Sequence, residues 1–281
     1  MNREFILNAD DLGMSKTRNK AIYNACKNSF LRSSSLCVNG DEFDDAVINV
    51  IEKCPELGIG IHLNIIEGKA IIPKSSLTDF SGNFKHSFIR ILYESGNNKF
   101  LKDVENEFRA QIEKGLEVIK FDHIDSHVHT HGIPAIFKIA FNLAKEYGIN
   151  GIRTQFEKRY KVPGNNRNLT FSFFVNRIKI FLLNAFTVKN KRVLGDFYGT
   201  NDFLIGVGYT AMMDSRTIEY GLKKLDKSKE KIVVEALFHP DAQKQNDEYR
   251  IPFDFKLLES IKALRFELTN YSEFFAAGKK K

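Results

Sequence analysis

His123-Ile124-Asp125-Ser126-His127-Val128-His129-Thr130-His131 is the stretch on which the reading of this 281-residue chain turns. It holds four of the seven histidines and one carboxylate, at every second position from 123 to 131. In an extended strand alternate side chains leave by the same face, so the four imidazoles and Asp125 are expected together on one side. Ile124, Ser126, Val128 and Thr130 then line the other side, β-branched or small as strands prefer. Each imidazole has two nitrogens that need partners, which makes such a stripe a poor choice for packing alone. Neutral imidazole is the commonest metal ligand and carboxylate its natural companion, so a metal site is expected here. An exposed polar strand is the plainer alternative, and the segments on either side weigh against it.

Upstream, residues 4–8 read as a buried strand, followed by a loop over residues 9–15 that carries Asp10 and Asp11, with Ser15 as the cap of a helix to about Asn28. Residues 33–38 and 57–64 read as further strands, the latter ending near His62. Between them Ala46, Val47, Val50 and Ile51 mark a helix. Residues 67–95 are irregular and rich in Gly, Ser, Pro and Asn, as suits loops around a mouth. Leu101, Val104, Phe108, Ile112 and Leu116 recur at helical spacing. Downstream, Pro134 opens a helix, residues 151–154 read as a strand with Arg153 near its end, and residues 231–238 read as a strong strand that leads into His239-Pro240. A last helix runs from about Phe255 to Leu264 and is followed by Phe266-Glu267-Leu268-Thr269. Strand and helix alternate throughout, which predicts an α/β fold around a parallel sheet, open or closed into a barrel. In both, ligands sit at the carboxyl ends of the strands. Asp10, Asp11, His62, the histidine stretch and His239 all fall at or just past such ends.

Hydrophobic content of 43% and charged content of 27% are those of a globular protein with a sizeable core. The cysteines Cys26, Cys37 and Cys54 form no CxxC pair, and the apolar piece after Met1 is short and followed by acids. Reduced thiols and a cytoplasmic setting are expected from both. Residues 152–193 hold ten Lys or Arg against one acid, Glu157; with the chain at +7 overall, the remainder is about −2. One segment is basic rather than the protein, and nucleic-acid binding is not expected.

Two adjacent carboxylates on a turn point in different directions, so one can bind a metal while the other faces a substrate. One Asp with two His makes the three-ligand open site of metal hydrolases. The second carboxylate is then a candidate base for water, and His239 a candidate acid for the leaving group.

The blocks Asn8-Ala9-Asp10-Asp11-Leu12-Gly13-Met14-Ser15, Gly60-Ile61-His62, His123 to His129 and Phe238-His239-Pro240 occur in an order that resembles the YdjC-like carbohydrate deacetylase family. The resemblance covers about residues 5–240. It implies an irregular, TIM-like (β/α) barrel and metal-dependent removal of acetyl groups from acetylated amino sugars. By position it implies Asp11, His62 and His127 as ligands of a divalent ion, Mg or Zn, Asp10 as catalytic base and His239 as an acid or stabilising group. His129 and His131 are expected either behind the ligands or at the substrate, Arg153 either against an acetyl or sugar hydroxyl or in a surface ion pair, and Asp125 behind a ligand histidine, accepting its second N–H.

The chain is expected to form one domain over 1–281 with a basic, apolar-rich insertion at about 160–193. Within that insertion residues 171–187 are dense in Phe, Leu, Ile and Val, but Arg177 and Lys179 in the middle argue against a membrane span. A helix packed on the barrel or on a second subunit of a homodimer is one expectation, and contact with an anionic membrane surface is the other. Two further functional classes are a metal phosphoesterase built on His127 and His129, and a non-enzymatic polyanion binder using residues 152–193.

Overall fold

The computed structural model describes residues 3–195, 199–225 and 231–278. Eight strands form one sheet: β1 (Arg3–Leu12), β2 (Ser33–Leu36), β3 (Gly58–Leu63), β4 (His123–Ser126), β5 (Gly151–Ile152), β6 (Phe203–Ile205), β7 (Ile232–Phe238) and β8 (Phe266–Thr269). Their order is β5-β4-β3-β2-β1-β7-β6, with β8 also on β1, and every pairing is parallel. The two edges meet beyond β5: Ile152 N donates to Gly199 O and Leu204 N to Phe156 O, both at 2.8 Å. Asn201 completes this seam, accepting from Thr154 N at 2.6 Å and donating to Thr154 O at 3.0 Å. The sheet therefore curls into an irregular, TIM-like α/β barrel.

The helices α1 (Lys16–Asn28), α2 (Phe43–Ala46, continuing as a π turn to Ile51), α3 (Phe88–Glu94), α4 (Asn98–Leu116), α5 (Pro134–Glu146), α6 (Phe171–Leu194), α7 (Ser215–Lys223), α8 (Asp247–Arg250), α9 (Phe255–Ala263) and α10 (Tyr271–Gly278) complete the chain. Ser15 caps α1 by accepting from Arg18 N, as its position before an apolar periodic run predicts. β1 is buried along its whole length, the mark of a parallel strand covered on both faces. Phe5, Leu7 and Ala9 turn outward into the large apolar core shared with the helices. Ile6 turns inward onto Val233 and Tyr271, a small apolar cluster in the barrel lumen. Above that cluster the lumen is polar: Asn8, Ser33, Ser35, His123, Asp125, Arg153 and Glu235 are all fully buried.

The sequence reading is corrected at both ends of the site. β1 does not stop at Asn8 but continues through Asp10 and Asp11 to Leu12. Between Ala9 and Leu12 its register with β2 slips by one residue, and Asp11 takes φ 68°. This is a β-bulge, which re-aims a side chain that a regular pleat would send to the opposite face. The histidine strand, by contrast, is short. β4 ends at Ser126, and His127–Gly132 is a 3-10 turn in which Val128 and His129 have φ 53° and 59°. The expected common face for all four imidazoles does not exist, because the backbone turns left-handed where the alternating pattern assumes extension. β6 was not expected from the sequence. The irregular stretch 67–95 holds α3 and the isolated bridges Lys69–Asn83 and Thr78–Phe84.

Candidate active site at the carboxyl rim of the barrel

Asp11, His62 and His127 converge at the tops of β1, β3 and β4. Asp11 Oδ1 lies 3.3 Å from His62 Nε2 and 2.9 Å from His127 Nδ1. The other ring nitrogen of His62, Nδ1, lies 2.7 Å from Asp125 Oδ1, which fixes the ring so that Nε2 points to Asp11. His127 Nε2 lies 3.1 Å from Glu67 Oε2, on an exposed side chain of the mouth loop. Asp11 Oδ2 is 3.3 Å from Arg18 Nη1 on the first turn of α1. One carboxylate oxygen between two oriented imidazole nitrogens, partly open to solvent on the His127 side, is a donor set that fits a divalent cation. Cys37 lies beside Asp11 and His62, close enough for its sulfur to join them around an ion, and without an ion burial raises its pKa well above the usual thiol range.

Burial opposes ionisation of Asp11, yet its hydrogen bonds with His127 and His62 hold its pKa well below the usual carboxylate range. Burial likewise opposes a charged His62, but the charge of Asp125 and the bonds to Asp11 and Asp125 raise its pKa to about 10.

Asp10, next along the bulge, is 2% exposed and gripped by Arg153. Arg153 Nη1 donates to Asp10 Oδ2 at 2.9 Å and Nη2 to Asp10 Oδ1 at 2.8 Å, the bidentate fork that guanidinium offers a carboxylate. Asn8 Nδ2 donates to the same Oδ1 at 2.7 Å. Burial works to protonate Asp10, and the charges of Arg153 and His62 with the Arg153 hydrogen bond together outweigh it, so its pKa stays below the ordinary value. Arg153 also reaches Asp125 Oδ2 at 2.7 Å and Glu235 Oε1 at 2.8 Å (Nε) and 2.6 Å (Nη2). Glu235 is in turn bonded by Tyr271 OH at 2.8 Å. Arg153 is thus fully buried and holds three carboxylates in place, which corrects the expectation that it meets substrate directly.

Of the two places expected for His131, the one at the substrate is ruled out. It is fully buried, with Nδ1 2.5 Å from Ser126 Oγ and Nε2 2.9 Å from Arg153 O and 2.7 Å from Gln155 Nε2. It fastens the turn to β5 and has no face left for a ligand. His129 differs: its Nδ1 is shielded from solvent and has no hydrogen-bond partner among the described residues. Burial and the Arg153 charge lower its pKa to about 3, so the ring is neutral. His123 lies deeper, stacked on Tyr271 at 4.1 Å, with Nδ1 2.6 Å from Asp122 Oδ1. It packs against Gly60, where a Cβ would lie 2.2 Å from its ring.

His239 follows β7 directly. Ala9 pairs with Phe238, so the next step in register sets His239 beside Asp10 at the rim. Its backbone N donates to Glu248 Oε2 at 2.6 Å, and its Nδ1 is 3.5 Å from the same oxygen. Burial opposes its charged form, but Glu248 and the carboxylates of Asp11 and Asp10 raise its pKa to about 9. Glu235 and Glu248 were not singled out from the sequence. A lone acid inside the apolar run Ile232-Val233-Val234-Glu235-Ala236-Leu237-Phe238 is itself a signal, because a buried carboxylate requires a cationic partner.

A profile of the family described as YdjC-like protein matches residues 4–266. A carbohydrate deacetylase of Brevibacillus brevis is 36% identical over 150 residues, 52% of this chain and 57% of that protein. A carbohydrate deacetylase of Clostridium beijerinckii is 35% identical over 174 residues, 60% and 68% of the two chains. A chitooligosaccharide deacetylase of Escherichia fergusonii is 34% identical over 151 residues, 53% and 58%. The aligned part thus spans less than two thirds of the Brevibacillus and Escherichia proteins. A crystal structure of an Enterococcus faecalis V583 protein named for cellobiose-phosphate cleavage superposes with a TM-score of 0.75, covering 98% of this chain and 99% of that one at 24% identity, a likeness of fold. With nearly the whole barrel matched by the profile, the chain belongs to the YdjC-like protein family.

Proposed function

We propose that this protein is a metal-dependent hydrolase that removes acetyl groups from acetylated amino sugars. The observation that carries the reading is Asp11 Oδ1 poised between His62 Nε2 and His127 Nδ1, with Asp10 beside it under the Arg153 fork. The deacetylases among its relatives support the substrate class. Asp11, His62 and His127 would hold the ion, and two imidazoles favour zinc over magnesium, which prefers oxygen ligands. When bound, a divalent cation lowers the pKa of water and polarises a carbonyl.

Asp10 is ionised and immobilised by Arg153, so it is positioned to take a proton from the attacking water at a carboxylate oxygen. His239, charged at neutral pH, gives a proton to the departing amine as the C–N bond breaks and a C–O bond forms, releasing acetate and the free amino sugar. Asp125 acts through His62 by holding its ring. The unpaired Nδ1 of His129 is suited to a sugar or acetyl group that completes its hydrogen bonding.

The test is acetate release from a panel of N-acetylated sugars, before and after chelation and with zinc or magnesium restored, alongside metal analysis of Asp11→Asn, His62→Gln and His127→Gln. Acetate release that stops on chelation, and variants with reduced metal content, are expected. Phosphate release from phosphomonoesters without acetate release would replace this reading with a phosphoesterase.

A further inference from the structure

Helix α6 presents one face to the barrel and the opposite face to solvent. Phe173, Asn176, Ile180, Leu183, Thr187 and Asn190 are buried, and Asn190 Nδ2 donates to Gly132 O at 2.8 Å, pinning the helix to the histidine turn. On the other side Phe171, Phe174, Ile178, Phe181 and Val188 are 82, 63, 58, 70 and 57% exposed. With exposed Ala185 they follow each other at intervals of three and four residues, the spacing of a single stripe along a helix. At 1.5 Å per residue the stripe is about 26 Å long. The same periodicity puts Lys189 along one border, Arg177 and Lys191 along the other and Arg192 at its end. No acid occurs between Lys158 and Gly195.

We propose that α6 lies in the interface of an anionic lipid bilayer, with its phenylalanines among the acyl chains and its border lysines at the headgroups. An apolar face flanked only by cations is the composition of in-plane membrane helices, which sink about 5–10 Å below the headgroups. The helix is long and apolar enough to cross a membrane, but a third of its most apolar window is buried in the protein, so lipid cannot surround it. A second copy of this chain is the poorer occupant. Antiparallel or parallel, it would add cations to cations with no acid on the helix to answer them. A stripe about 26 Å long and roughly 10 Å wide covers about 250 Å² per partner, whereas a stable interface covers about 800 Å². Because α6 is fastened to the turn that carries His127 and His129, docking it sets the rim of the barrel at a fixed height above the lipid.

The test is flotation of the full chain with phosphatidylcholine vesicles, with and without phosphatidylglycerol. The protein is expected to float with the anionic vesicles only, and less so in high salt. Phe174→Ser and Phe181→Ser should each lower the partition coefficient about tenfold. Lys189→Gln and Arg192→Gln should each lower it about fivefold. All four positions are exposed, and an unchanged circular dichroism spectrum and thermal midpoint would show that the variants fold. Absence of flotation, or flotation that survives both pairs of substitutions, would overturn the proposal. So would a solution dimer that the two Phe substitutions dissociate, because the stripe would then be covered by a second copy.

Discussion

Replacing Arg153 with lysine keeps the charge and removes the fork, and the effect can be worked from the contacts. The guanidinium makes five contacts: two to Asp10, two to Glu235 and one to Asp125. An ammonium has three N–H donors at a single point, so at least two contacts are lost. Each hydrogen bond to a charged group is worth about 1.5–3 kcal/mol, which gives a loss of about 3–6 kcal/mol. That is a large share of the 5–15 kcal/mol typical of a folded domain, and the carboxylate left short of a partner cannot turn to water because all three are buried. Equilibrium urea unfolding of Arg153→Lys, monitored by circular dichroism, should show the midpoint falling by about 1–2 M at a slope of roughly 3 kcal/mol per molar. Activity should fall about a hundredfold or more, since Asp10 and Asp125 both lose their fixed orientation. A midpoint within about 0.3 M of the parent, which is under about 1 kcal/mol at that slope, would refute the view that the fork holds the lumen together.

Gly60→Ala would set a methyl carbon 2.2 Å from the His123 ring, which is pinned by Tyr271, and should cost about 2–3 kcal/mol; adding His123→Ala should recover most of it, and additive losses would show that the two do not touch. His239 has a folded-state pKa of about 9, above its ordinary value, so the stabilisation it brings is complete below about pH 6.5 and is lost as pH rises through about 9. Glu248→Gln should move the alkaline limb of both stability and acetate release to lower pH, and an unmoved limb in kcat/KM would remove His239 as the acid. Ser126→Ala leaves His131 Nδ1 and the His131 N–H without their shared partner and should cost about 2 kcal/mol in thermal unfolding; an unchanged midpoint would show that the turn is held elsewhere.

The alternation of strands and helices was legible because each is governed by local period and capping. The meeting of residues from three strand ends was legible because parallel α/β sheets gather such groups on one rim. What could not be read was backbone direction at the two places where the pleat is broken. Nothing in Ala9-Asp10-Asp11-Leu12 announces a bulge, and a β-branched Val128 argues against the left-handed conformation it adopts. That one turn decides which histidines reach the rim, leaving His123 and His131 as packing residues. β6, three residues long, is too short for its periodicity to register. Arg153 could be placed at a strand end, but only the closed barrel reveals that its partners come from β1, β4 and β7.

The pairing of β1 with β7 and β8 has a bearing on how the chain acquires its shape during synthesis. The acidic pair lies on β1, yet β7, which flanks it on the side away from β2, is made roughly 230 residues later, about 10–45 s at ribosomal speeds of 5–20 residues per second. Until then β1 carries an unpaired edge, although Arg18, His62, His127 and Arg153, the residues that hold Asp10 and Asp11 in the folded protein, have already been made. The sheet can close around β1 only once β7 and β8 have been made.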